Sequence, residues 1–141
     1  MSLETRIKEG FERAAQVIKA RLPATRDLSA TLNGLANNQA GSFQLANSHA
    51  PAEVLKVTAS HAVDVCLYLT DADRTADLSR LQGAPDTAPN VPVIGQWRTS
   101  AVVLSVAGVA RAVNVTTVYG TVVNRSGSTQ DVTMTIKVED R

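Results

Sequence analysis

Two periodicities divide the chain. Between Ser2 and Leu22 the apolar positions Leu3, Ile7, Phe11, Ala14 and Ile18 recur in steps of four, four, three and four, which sets them in one stripe of an amphipathic helix. Arg6, Glu9, Arg13, Gln16 and Lys19 fall on the remaining surface. Ser2 suits the N-cap, and Glu4 suits the positive end of the helix dipole. Pro23 ends the run, since it has no amide to donate to the preceding turn. Glu4 with Lys8, and Glu9 with Arg13, are helix-surface pairs worth a few tenths of a kcal/mol each. Against them, Gly10 costs about 1 kcal/mol relative to alanine. A helix this short is marginal alone in water, so its stripe has to be buried somewhere.

From Leu28 onward the period changes to two. Val63, Val65, Leu67 and Leu69 alternate with Asp64, Cys66, Tyr68 and Thr70. A second run goes from Val113 through Tyr119 to Val123, and a third sets Val132, Met134, Ile136 and Val138 against Thr133, Thr135 and Lys137. Alternation rich in Val and Thr predicts half-buried antiparallel strands. Shorter strands are predicted at 30–35, 42–46, 54–59, 93–98 and 102–107. Asn37-Asn38, Gly41, Gly108 and the segment 125–128 supply turns. The last of these predicts a hairpin over 113–139. Asp71 to Pro92 reads as a long ordered loop between sheets, with a short helical turn within 72–80. The fold class expected is therefore mainly β: an antiparallel β-sandwich or jelly-roll-like domain over residues 24–141, preceded by one long N-terminal α-helix in 1–23.

Charge sharpens this division. Residues 1–26 hold six Lys/Arg against three Glu, whereas 27–141 hold eight against ten Asp/Glu. A length of 141 residues suits one domain with a short appendage. With 44% hydrophobic, 19% charged and 4% aromatic residues and a net charge of +1, the composition excludes a disordered tail, a collagen-like repeat and a strongly basic nucleic-acid clamp. No apolar run approaches the ~18 residues of a membrane span, and the charged opening turns do not resemble a signal peptide. Cys66, the single cysteine, has no internal disulfide partner, which fits a reducing compartment.

Catalytic chemistry is sparse. His49 and His61 are the only imidazoles, and no Gly-x-Ser-x-Gly elbow is present. Cys66 alternates inside a strand, either as a small buried hydrophobe or as a quiet surface thiol. One Cys and two His lack zinc-ligand spacing. The Asp71–Asp77 stretch departs from a calcium loop, with Thr75, Ala76 and Gln82 where that loop wants an Asx, a Gly and a Glu, and a salt-bridged loop explains it better. Trp97-Arg98 is the only aromatic–basic neighbour pair, and a strand residue at Trp97 defaults to packing. The expectation is a protein with no catalytic residues, cofactor or metal, and with neither nucleic acid nor membrane as partner. The helix can dock on its own sandwich, associate with copies of itself, or lie on a membrane surface. Its Glu content and single aromatic argue against the last of these.

Three stretches carry a resemblance. Leu3–Lys8, running on to Val17–Ala20, is similar to the helical leader of small structural proteins of tailed bacteriophages. Val65–Arg80, with Leu67-Tyr68 and the spacing Arg74…Asp77…Arg80, resembles a strand-then-loop signature of such proteins, and Val123–Ile136 looks like their closing hairpin. Cys66 stands where that pattern has an Arg or similar polar residue, and Leu81 where it has a Pro. The resemblance implies a non-enzymatic virion component, assembled in the host cytoplasm, of the tail, fibre, baseplate or adaptor type. Its partners would be other virion structural proteins and its own copies, as a homotrimer joined through Leu3, Ile7, Phe11, Ala14 and Ile18. Arg74, Asp77 and Arg80 would be structural loop pins or subunit contacts. The alternatives are a capsid decoration protein, a carbohydrate- or receptor-binding module using Trp97, and a hydrolase using His49 or His61.

Overall fold

The computed structural model describes residues 2–21, 24–48, 51–99, 103–106 and 112–141, with the side chains of 18–21, 99, 103–106 and 112 outside that description. His49 therefore lies outside the described residues, as do the side chain of Ile18 and the ends of the strand expected at 102–107. Helix α1 spans Leu3–Arg21. Ser2 caps it, its Oγ accepting from the Thr5 amide at 3.2 Å. Among the described residues nine strands follow: β1 (Thr25–Leu35), β2 (Ala40–Ala46), β3 (Ala52–Ala59), β4 (Val63–Tyr68), β5 (Gly95–Thr99), β6 (Val103–Val106), β7 (Ala112–Val113), β8 (Thr117–Asn124) and β9 (Gln130–Asp140). Helix α2 (Asp71–Gly83) interrupts them between β4 and β5.

The strands form two antiparallel sheets, ordered β1-β9-β3-β7 and β2-β8-β4-β5-β6. The fold is mainly β, as the alternating pattern predicts. The pairing is nested: β1 meets β9, β2 meets β8, β3 meets β7 and β4 meets β5, as in one long hairpin rolled upon itself. Val132, Met134, Ile136 and Val138 of β9 face Val63, Val65, Leu67, Val122 and Trp97 of the other sheet across a single apolar core. Gly34, at φ +64°, lets β1 bulge and returns Leu35 to that core after two exposed residues. Leu55 is the unpaired residue of a bulge in β3, which leaves both Leu55 and Lys56 facing outward.

Three expectations need correction. The first is the hairpin over 113–139, because β8 and β9 lie in different sheets and the turn between them crosses from one to the other. Alternation says only that each strand has one core-facing side, and two opposed sheets satisfy that as well as one. Asn124 fixes the crossing, its Nδ2 donating to the carbonyls of Leu35 at 2.7 Å and Ser128 at 2.8 Å. The second is β4, which is not half-buried: all six of its residues are buried. The third supplies the reason. The Asp71–Pro92 segment is not simply a loop, since its first 13 residues form α2, which covers the outer side of β4 and β8. Thr70 caps α2 by accepting from the Asp73 amide at 3.1 Å, and Asp71 and Asp73 occupy the first turn where carboxylates suit the dipole.

Candidate functional site

Two features stand out: an uncovered stripe on α1 and a buried charge cluster under α2. On α1, Leu3 is 72% exposed, Ile7 50% and Phe11 73%. Ala14 is exposed as well. The structure brings these four predicted residues onto one face and packs none of them into the core of the sandwich. Val17, which flanks the stripe, is also exposed. Its position off the main spacing hid it from the periodicity argument. Each large aliphatic or aromatic side chain gains ~1.5–3 kcal/mol when fully buried, a gain these three forgo while the stripe faces water.

The second feature begins at the outer face of β4, where Asp64, Cys66 and Tyr68 point away from the main core. Asp77 and Leu81 of α2 are buried against this face. The Tyr68 hydroxyl donates to Asp77 Oδ2 at 2.6 Å, and Arg80 donates to both Asp77 oxygens at 2.5 Å through Nε and Nη2. Arg80 also donates to the Thr87 carbonyl at 2.8 Å and to Gln96 Oε1 at 3.0 Å, tying the segment after α2 to β5. Arg74 donates to the Phe43 carbonyl at 3.1 Å, pairs with Asp71, and lies 5.3 Å from the Tyr119 ring centroid. The three residues expected to pin a loop thus sit on a helix and attach it to sheet and loop.

Sequence reasoning missed the other half of this cluster. Asp64, 2% exposed, accepts from Arg98 Nε at 2.8 Å and from Arg125 Nε at 2.9 Å. Arg125 also donates to the carbonyls of Leu81 at 3.1 Å and Gln82 at 3.0 Å, so it satisfies orphan groups at the C-terminus of α2. A lone Asp in an alternating strand was the available signal, because a charge facing inward needs a partner.

The electrostatics are those of a closed network. Burial pushes the Cys66 thiol up to about 11, so it stays protonated near neutrality and is a poor nucleophile. Burial first, and then the hydrogen bond to Asp77, pushes the Tyr68 hydroxyl above its ordinary range. Asp77 holds the Arg80 guanidinium above its usual value, and Asp64 does the same for Arg98. Donors and acceptors meet within the protein, and the arrangement acts as a clamp.

Other candidates sit elsewhere. Ser60 Oγ lies 3.0 Å from His61 Nδ1 on an exposed bend, but it also accepts from the Thr133 amide at 2.9 Å, which holds it in the turn. Trp97 is 5% exposed in the main core and offers no platform for a sugar ring. A shallow groove of about 210 Å³ on the outer face of the first sheet is lined by Asp27, Lys56, Thr58, Thr135 and Lys137. A second groove of about 340 Å³ runs beside Pro85, Pro89, Val93 and Gln96. Among the described residues no group of three or more His, Cys, Asp or Glu is placed to hold a metal ion, and no helix is long and apolar enough to cross a membrane. No protein-family model, curated protein or solved structure matches the chain.

Proposed function

We propose that this chain is a non-enzymatic building block of a multi-subunit particle, with the sandwich as its head and α1 as the element that joins copies. The observation that carries the reading is the uncovered stripe Leu3–Ile7–Phe11 on a helix that water alone stabilises poorly. The nested strand pairing supports a jelly-roll reading of the head, an architecture that recurs in viral capsid and lectin domains. With the resemblance of the helical leader, this favours a component of a tailed-phage virion: a trimer of the tail, fibre, baseplate or adaptor type that meets other virion proteins.

The double variant Ile7→Asp, Phe11→Asp tests it, since carboxylates in an apolar seam are costly. Sedimentation equilibrium should give an oligomeric mass for the native chain and a monomeric mass for the variant. The fluorescence of the buried Trp97 should stay unchanged, because the substitutions lie outside the core. A monomeric native chain, or a variant with the native oligomeric mass, overturns the joining role. Mass spectrometry of purified particles of the encoding phage tests the virion assignment, which falls if the chain is absent from them.

A further inference from the structure

We infer that the open edge of β1 pairs with β1 of a second copy of this chain, antiparallel and centred on Ala30, so that two first sheets become one. The inference goes beyond the joining role proposed for α1 and uses no residue of that helix. Among the described residues β1 ends the order of its sheet and has β9 as its only strand neighbour. Backbone bonds fix which groups this leaves open. The Asp140 amide donates to the Ala24 carbonyl at 2.8 Å, so the even-numbered residues of β9 face β1 and bond to even-numbered partners there. The Ser60 amide donates to the Thr133 carbonyl at 3.0 Å, so the odd-numbered residues of β9 face β3, in agreement. The N–H and C=O groups of Thr25, Asp27, Ser29 and Thr31 therefore point away from the sheet, a template for a further strand. On the inner side of this edge Leu28, Ala30 and Leu32 lie against the main core yet are only half-buried. Proteins keep edges apart with proline, charge or a bulge. Arg26 and Asp27 stand at one end and the Gly34 bulge at the other, but Leu28–Leu32 carries none of these devices.

Symmetry decides the direction. Two copies that meet through the same edge run parallel only if one is turned over, which sets its Leu28, Ala30 and Leu32 in line with the hydroxyl face of the other. A two-fold axis normal to the sheet makes the strands antiparallel and keeps both cores on one side. Apolar matching then selects the register. Centred on Ala30, Leu28 meets the second copy's Leu32, Ala30 meets its own counterpart, and Ser29 exchanges backbone bonds with the second copy's Thr31. Centring on Leu28 or Ser29 instead sets Arg26 against Ala30 or Leu32, although Arg26 is held to Asp140 and Asn47. Centring on Thr31 sets Leu28 against the Gly34 bulge. The outer face agrees with Ala30. Ser29 Oγ lies 3.3 Å from Thr135 Oγ1, and Thr31 Oγ1 lies 2.9 Å from Thr133 Oγ1. Pairing Ser29 with the second copy's Thr31 carries that row of hydroxyls across the seam. With about four ladder hydrogen bonds and a narrow apolar strip, the contact is smaller than the ~1,200 Å² of a stable interface, so it is transient in dilute solution. A two-fold contact closes no ring of three, so it joins one α1-held group to the next.

Disulfide trapping in the full chain carrying Ile7→Asp and Phe11→Asp reads this seam apart from α1, and the buried Cys66 thiol stays quiet at neutral pH. Ala30 faces itself in a non-hydrogen-bonded pair with Cα atoms ~4.5 Å apart, so Ala30→Cys chains should link to one another under mild oxidation. Leu28→Cys mixed with Leu32→Cys should link roughly tenfold faster than either links to itself, because only the mixed pair is within disulfide reach. Adding Ser29→Pro to Ala30→Cys removes an outward N–H that the chain's own sheet does not use. It should slow linking roughly tenfold and leave the Trp97 fluorescence unchanged. Leu28→Cys linking faster to itself than to Leu32→Cys overturns the register. Ala30→Cys chains that stay unlinked overturn the pairing altogether, and that is the result if the edge takes a strand of some other protein. The joining role of α1 is read from the sedimentation mass of the native chain, so the two readings fail separately.

Discussion

Replacing Asp77 by Asn tests whether the cluster under α2 holds the head together. Asp77 is 3% exposed and accepts three hydrogen bonds, one from Tyr68 and two from Arg80. Asparagine keeps one carbonyl oxygen and presents an amide to donors, so the Arg80 charge loses its counterion inside the protein. Removing one partner of a buried pair costs ~3–5 kcal/mol. Arg80 retains the Thr87 carbonyl and Gln96 Oε1 as acceptors, and its side chain is 10% exposed, which brings the expected loss down to about 2–4 kcal/mol. With a urea dependence of about 2 kcal/mol per M, the unfolding midpoint should fall by roughly 1–2 M. The single buried Trp97 reports the main core, and hydrogen exchange of the α2 amides reports α2. Both should move together. The companion Asp77→Asn, Arg80→Met, with no charge left to strand, should recover part of the loss. A midpoint shift worth less than ~0.5 kcal/mol, the level of an ordinary surface substitution, would refute the clamp. So would loss of α2 protection that precedes the Trp97 transition.

Three other outcomes follow from the same geometry. Gly120 faces the main core, and a Cβ there would run into the Phe43 ring, so Gly120→Val should cost about 1–3 kcal/mol in urea unfolding, with Phe43→Leu restoring part of it. Thr121 Oγ1 is buried with no hydrogen-bond partner, so Thr121→Val should raise the urea midpoint by an amount worth about 1 kcal/mol; a lowered midpoint would contradict this. The folded chain holds the Cys66 proton up to about pH 11, against an ordinary 9.0. Between those values the unfolded chain releases a proton that the folded chain keeps, so stability should fall by about 1.4 kcal/mol per pH unit as pH rises. Below pH 9 this group contributes no slope. Unfolding titrations of Cys66→Ala should be shallower than native by that amount.

The legible parts of the sequence were those written in apolar periodicity. The steps through Leu3, Ile7 and Phe11 located α1, and the Val/Thr alternation of β9 located a strand whose inward residues are all buried. Element pairing was not legible, because Val118 and Val132 carry the same alternating signal whether they share a sheet or face each other across the core. Helix α2 was legible only as a short helical turn within 72–80, for a different reason. It buries Asp77 and Leu81, so its inward face is held by charge pairing as much as by oil. Arg125 escaped because its role depends on α2, 43 and 44 residues away in the chain.

The nested pairing sets the order of events in synthesis. Strand β9 occupies the interior of its sheet between β1 and β3, so neither of those finds its principal neighbour until residues 130–140 have left the ribosome. Closing such distant ends is slow compared with winding a helix. Helix α1 is therefore made and wound while the sandwich is still open, and closing the two sheets on each other is the late, slow step of this chain's folding.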